Sequence, residues 1–354
     1  MTDRFMKTHS PLIYSFQLFI WMLMLAGCSG NPEAETGYIL TVNGPIPANE
    51  TEIILSHEHA LVDFIGADSI GYRRYDRREA LNVILPYFME AKDQGLSVFF
   101  DCTPAFLGRD PRLLKALSDS AGIHIVTNTG LYGAVDNKYL PLYAFDATAD
   151  ELSEQWTREF ERGIGGSGIR PGFIKIGVNA GPLSPQHRKL IRAAARTHGA
   201  TGLTIASHTG TAVPAMQQLD ILVEEGVNES AFIWVHAQNE DNPDSYIEAA
   251  RRGAWISLDG LAPDNQDEYL QKLKFMKENK ILDHVLISHD AGWYSPGEEN
   301  GGNFRGYTTL MTSFRDLLLT NGFTDEDYEM FVHTNPVRAL ALDEATIGRL
   351  DMEN

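Results

Sequence analysis

Cysteine is scarce in this chain of 354 residues, with only Cys28 and Cys102 present. Cys102 ends the apolar run Phe99-Phe100-Asp101 and reads as a small buried side chain rather than a nucleophile. Positive charge is also short. Lys and Arg number 29 against 48 Asp and Glu, a formal net charge of −19. Such a surface repels phosphate backbones, which sets nucleic acid aside as a partner. There is no internal repeat and no low-complexity tract. No glycine-rich phosphate loop follows the first apolar run, which argues against an open nucleotide-binding sheet. The apolar run at residues 11–25 falls short of the ~20 residues that a membrane-spanning helix needs.

That run has the marks of a targeting segment. Arg4 and Lys7 precede it, and the small residues Ala26 and Gly27 follow it. Leu25-Ala26-Gly27-Cys28 resembles a bacterial lipobox, whose cysteine becomes the lipid-bearing first residue. The resemblance implies a signal peptide over residues 1–27, a lipidated Cys28 and a polar tether over 28–37. The mature protein would then be lipid-anchored to a bacterial membrane, periplasmic or at the cell surface. A plain secretory peptide or an uncleaved anchor are the alternatives. With Cys28 lipidated, Cys102 has no disulfide partner.

Residues 38–354 read as one domain. Short, continuously apolar runs recur at 53–55, 97–100, 123–126, 173–176, 203–206, 232–235, 255–258 and 285–288. This is the pattern of parallel strands covered on both faces. Amphipathic stretches lie between them at 78–94, 111–121, 151–162, 186–198, 212–225, 244–252 and 266–279, with further helices near 307–321 and 336–342. Eight strands alternating with helices imply an α/β fold, a (β/α)₈ barrel, with an open doubly wound sheet as the alternative.

Metal-competent side chains sit in or at the ends of those runs: His57 and His59 at the first, Lys175 in the fourth, His208 at the fifth, His236 at the sixth and Asp290 at the eighth. Barrel enzymes place their sites at the C-terminal ends of the strands, so these six converge on one mouth. His57 and His59 share a side of their strand and Glu58 points away. An amine at Lys175 inside an apolar strand is costly unless paired or neutral. His289 should face away from Asp290. His124, His187, His198, His284 and His333 fall at strand starts or on helices and read as structural.

The segments Ser56-His57-Glu58-His59, Gly108-Arg109-Asp110, Asn128-Thr129-Gly130-Leu131-Tyr132, Ile174-Lys175-Ile176-Gly177, Ser207-His208-Thr209, Val235-His236, Ser288-His289-Asp290 and Asn335-Pro336 occur in that order. In them the chain resembles the phosphotriesterase family of the amidohydrolase superfamily. The resemblance implies two divalent metal ions. Zinc is the first choice on donor type, with manganese, cobalt or nickel as alternatives. His57, His59 and Asp290 would hold one ion and His208 and His236 the other. Lys175, carboxylated by carbon dioxide to N6-carboxylysine, would bridge them. A bridging hydroxide would be the nucleophile, with Asp290 as the catalytic proton carrier.

Two positions depart from the family pattern. Its members often carry an Asp shortly after the sixth-strand His and a basic residue after the seventh-strand Asp; here those positions are Asn239 and Gly260. The usual proton relay is therefore not expected. Asp259 either contacts the site or caps its strand. Tyr132 and Trp293 either wall the substrate site or pack their loops. Arg305, with Arg73, Arg74, Arg77 and Arg78, either binds an anionic group or is solvated. The expected activity is hydrolysis of a lactone or other carboxylic ester. The alternatives are a phosphotriesterase, a phosphorylated-sugar lactonase, or a non-catalytic, surface-tethered metal- or ligand-binding protein. A homodimer is left open.

Overall fold

A computed structural model describes residues 37–352. The targeting segment, most of the tether and Cys28 lie outside the described residues. Among the described residues no helix is long and apolar enough to cross a membrane.

A short antiparallel hairpin, β1 (Tyr38–Thr41) and β2 (Gly44–Pro47), comes first. Ten further strands follow: β3 (Ile53–Leu61), β4 (Leu96–Asp101), β5 (His124–Val126), β6 (Asn128–Thr129), β7 (Phe173–Gly177), β8 (Ile205–His208), β9 (Phe232–Val235), β10 (Trp255–Leu258), β11 (Val285–Ile287) and β12 (Gly292–Tyr294). Every pairing among these ten is parallel. They form two arcs, β12-β3-β4-β5 and β6-β7-β8-β9-β10-β11. One residue, Thr127, joins β5 to β6. The segment between β11 and β12 bonds back to β3 through Asp290 N–H to His57 O and His59 N–H to Ala291 O. The arcs thus close into the expected (β/α)₈ barrel, with eight strand positions.

Eight helices interleave: α1 (Arg77–Asp93), α2 (Pro111–Ala121), α3 (Tyr143–Asp146), α4 (Ala149–Arg162), α5 (Pro185–Thr201), α6 (Ala212–Glu224), α7 (Asp244–Arg251) and α8 (Gln266–Glu278). Their ends follow local chemistry. Asp76 caps α1 and Asp110 caps α2 just ahead of Pro111. Thr148 and Glu151 form a capping box on α4. The expected helix over 307–321 is shorter, α9 (Ser313–Thr320), and α10 (Asp325–Glu329), α11 (Asn335–Leu340) and α12 (Glu344–Met352) complete the chain.

Strand alternation sorts the core into two layers. Val98, Phe100, Phe173, Ala206, Ile233 and Leu286 share one buried cluster with Ile54. Phe99, Ile174, Ile205, Phe232, Trp234 and Ile287 join Leu55 and the helix faces in the other. The first group fills the barrel and the second seals strands to helices. Lys175, His208, Asp259 and Asp290 share the parity of the inward group.

Candidate metal centre

His57 and His59 do not share the parity of inward Ile54. The ladder between β3 and β4 slips its register between Leu55 and Glu58. That irregularity turns both histidines into the barrel and Glu58 out of it. His236 is reoriented differently. By parity it should lie outward like Trp234, but its φ of 61° is left-handed, uncommon for a residue with a Cβ. Asp259 accepts bonds from both the His236 backbone N–H (3.0 Å) and its Nδ1 (2.6 Å), holding the turned conformation.

The expected ligands meet. One candidate ligand atom from each of His57, His59 and Asp290 lies within 4.8 Å of the others. His59 Nε2 is 2.9 Å from Asp290 Oδ1, and His57 Nε2 is 3.6 Å from the same oxygen. Lys175 Nζ is 3.4 Å from His57 Nε2. The His208 and His236 rings are 4.4 Å apart, and His236 lies 5.2 Å from His57. All six line one cavity of about 180 Å³, with Val62, Phe64, Leu107, Tyr132 and Trp293 among its walls. Gly130 makes room beside Lys175. It has φ +112°, and a Cβ there would lie 2.2 Å from the Lys175 carbonyl oxygen.

Neighbours set the imidazole tautomers. Thr103 Oγ1 donates its hydrogen to Leu61 O at 3.0 Å, so at 2.7 Å it accepts from His59 Nδ1. That leaves His59 Nε2, beside Asp290, as the nitrogen that would ligate a metal. His236 Nδ1–H is committed to Asp259 in the same way, freeing Nε2. Asp259 Oδ2 also lies 3.1 Å from His57 Nδ1, at an angle too poor for a good hydrogen bond. Ser257 Oγ and Gln238 Nε2 donate to the same carboxylate at 2.8 and 3.2 Å. Asp259 therefore touches one histidine from each expected metal pair, bonded to His236 and close beside His57. Carboxylate–histidine pairs of this kind orient metal ligands.

Protonation favours that donor set at His57, His208 and the two carboxylates and opposes it at His236. Burial, aided by Lys175, pushes His57 down to about 4 against the opposing pull of Asp259 and Asp290. Burial and His236 hold His208 well below the usual range. Burial also pulls His236 down, but Asp259 outweighs it and the net shift is upward. Burial would raise Asp290, yet its bond to His59 brings it down to about 2. Burial would likewise raise Asp259, but His236 and His57 keep it well below the carboxylate range. Four imidazole nitrogens, a carboxylate and an amine able to become a carbamate fit divalent cations of the zinc type.

Other residues stand apart from the cavity. His289 donates from Nδ1 to Glu58 Oε1 at 2.6 Å and accepts at Nε2 from Leu310 N–H at 3.0 Å, so both nitrogens are used away from the centre. His187, His198 and His284 each bond a backbone carbonyl. Tyr132 packs 5.0 Å from the His208 ring and Trp293 packs 6.2 Å from His59, so both form cavity wall. Arg305 does not line the cavity. Its guanidinium stacks 5.0 Å over Trp293 and donates to the Asp290 carbonyl, bracing a backbone whose φ is 48°. Arg74 and Arg77 pair with Asp63 and Asp110. A side chain at position 260 would have to displace Gln238 and Tyr269, because a Cβ there would lie 2.8 Å from Gln238 Nε2 and 2.9 Å from the Tyr269 hydroxyl. Thr103, Ser257 and Gln238 were not singled out from the sequence. Gln238 lies only two residues after His236, but its role depends on a bond across to Asp259.

Fold and cluster together define a parallel (β/α)₈ barrel with a candidate metal site at its C-terminal mouth. The Phosphotriesterase family model matches residues 37–340, and the chain belongs to that family of hydrolases. Among its relatives is the phosphotriesterase homology protein of Escherichia coli K12, 27% identical over 290 residues, covering 81% of this chain and 97% of that one. The aryldialkylphosphatase of Saccharolobus solfataricus is 28% identical over 305 residues, 82% and 95% of the two chains. Human N-acetyltaurine hydrolase is 25% identical over 274 residues, 73% and 76%. A solved organophosphorus hydrolase mutant from Deinococcus radiodurans superposes with a TM-score of 0.77 at 25% identity, covering 86% of this chain and 97% of that one.

Proposed function

We propose that this protein hydrolyses an uncharged lactone or other carboxylic ester at a two-metal centre. The observation that carries this reading is the cavity wall. Val62, Phe64, Leu107, Tyr132 and Trp293 surround the six polar residues, and no arginine is among the lining residues. An apolar acyl group suits that wall. A sugar phosphate or a sulfonate would call for a free guanidinium, and Arg305 is already engaged with Asp290 and Trp293. Phosphotriester hydrolysis is the second reading, favoured by the similarity to the Saccharolobus aryldialkylphosphatase.

His57, His59 and Asp290 would hold one ion and His208 and His236 the other. Lys175 would join them after its neutral amine adds carbon dioxide and releases a proton, leaving a two-oxygen anion. When bound, the ions supply Lewis-acid polarisation of the scissile carbonyl and acidify the attacking water. The chain's own residues do the rest. Tyr132, Trp293 and Phe64 orient the acyl group and exclude bulk water. Asp290 accepts the proton of the attacking water and passes it to the leaving alkoxide, giving acid plus alcohol. Thr103 and Asp259 keep the imidazoles in their ligating tautomers. A screen of lactones, aryl esters and phosphotriesters with metal-loaded protein tests the proposal. Lactone or ester turnover well above phosphotriester turnover is expected, and turnover of phosphotriesters alone would overturn it.

We also propose that Cys28 carries lipid, supported by the sequence Leu25-Ala26-Gly27-Cys28. Cys28→Ala should move the protein from the detergent-extracted membrane fraction to the soluble one.

A further inference from the structure

A second cavity, of about 270 Å³, stands back to back with the metal-lined one. Three segments form the partition, and neighbouring residues in each face opposite sides. Leu61 and Asp63 line the second cavity while Val62 and Phe64 line the metal site. Phe106 and Gly108 alternate in the same way with Leu107, and Leu131 with Tyr132. The far side carries the rings of Tyr72, Tyr75, Tyr143 and Trp156.

Polar groups in this second cavity are paired within the protein. Arg109, which is buried, makes two 2.9 Å bonds to Glu159 and a third to Asn128 O. Asp63 is held by Arg74. The Glu159 carboxylate is thus neutralised, yet its Oε1 accepts only from Arg109 among the bonds described and keeps a lone pair to offer. Gln155 donates to the Tyr143 hydroxyl at 3.1 Å, so its own oxygen is a second acceptor. A charged ligand would find no counter-charge here. A flat, uncharged ring with one N–H or O–H donor would find aromatic faces and an acceptor.

We propose that this cavity is a second ligand site, separate from the metal centre, for a small uncharged aromatic donor of the indole or phenol class, and that its occupancy acts on the metal-lined cavity through the shared partition. An occupant would press on Leu61, Phe106 and Leu131. Their chain neighbours Val62, Leu107 and Tyr132 form the substrate wall, and packed walls transmit such displacement.

Calorimetric titration of the metal-loaded full chain with indole tests the site. One molecule per chain is expected. Half-buried Ile70 lines only the second cavity, and Ile70→Trp should weaken binding at least about tenfold. Phe64→Ala, which opens only the metal-lined cavity, should leave binding unchanged. Ala105→Leu, a smaller filling change, serves if Ile70→Trp fails to fold. Absence of binding up to the solubility limit, full binding in both filled variants, or loss in Phe64→Ala would each overturn the site. The coupling has its own arm, which rests on the hydrolytic reading. Saturating indole should change KM for the best ester at least about twofold in wild type and not in Ile70→Trp. Binding without that change would overturn the coupling and leave the site intact. Binding without ester turnover would count against the hydrolytic reading alone.

Discussion

Replacing Asp259 by Asn tests the central structural reading, that one buried carboxylate braces both halves of the metal centre. The substitution keeps the volume and removes the charge. Oδ1 accepts from His236 Nδ1 and Gln238 Nε2, while Oδ2 accepts from the His236 backbone N–H and Ser257. Either orientation of the amide therefore sets an NH₂ group against a donor. An outer partner of one metal-ligating histidine is worth about 10–100-fold in metal affinity. Asp259 serves His236 through a 2.6 Å bond and His57 through a 3.1 Å approach, which places the expected loss near the upper end. A ~100-fold rise in dissociation constant corresponds to about 2.8 kcal/mol. Chelator competition followed by elemental analysis measures it, with circular dichroism to confirm the fold. A folded Asp259→Asn protein that binds metal within about threefold of wild type would refute the bracing role.

Other predictions address separate parts. Lys175→Ala should lose most of about two metals per chain, and retention of both with full activity would remove the bridging role. Gly130→Ala places a Cβ 2.2 Å from Lys175 O at a φ of +112°. Its backbone strain alone should cost about 1–3 kcal/mol, so an unchanged denaturation midpoint would contradict the close approach. For the metal-free protein, His57 is lowered from 6.5 to about 4. Between those values the unfolded chain binds more protons than the folded one, so stability should rise with pH across that window. His208 acts in the same direction and His236 against it. Urea titrations at pH 5 and 7 measure the slope, and His57→Gln should flatten it.

The order and type of the elements were readable because both are local properties. Continuously apolar runs mark buried parallel strands, and Asp76, Asp110 and Thr148 cap helices through neighbouring N–H groups. The residue types at strand ends pointed to metal chemistry for the same reason. What strand alternation predicted for His57, His59 and His236 was incomplete. A register slip turns the first two inward, and a left-handed backbone turns the third.

By itself the sequence determined eight strands with interleaved helices and six metal-competent side chains at one end of them. The tertiary structure decided which remote groups complete that centre. Asp259, readable equally as a cap or a contact, meets His57 across 202 positions of sequence. Glu58 takes His289 out of contention across 231 positions. Asp290 and Trp293 absorb Arg305, which the sequence left free to bind an anion. Strand periodicity acts over two residues and helix capping over three. Hydrogen-bond partners of buried polar groups are settled only when barrel closure brings distant strand ends within about 3 Å.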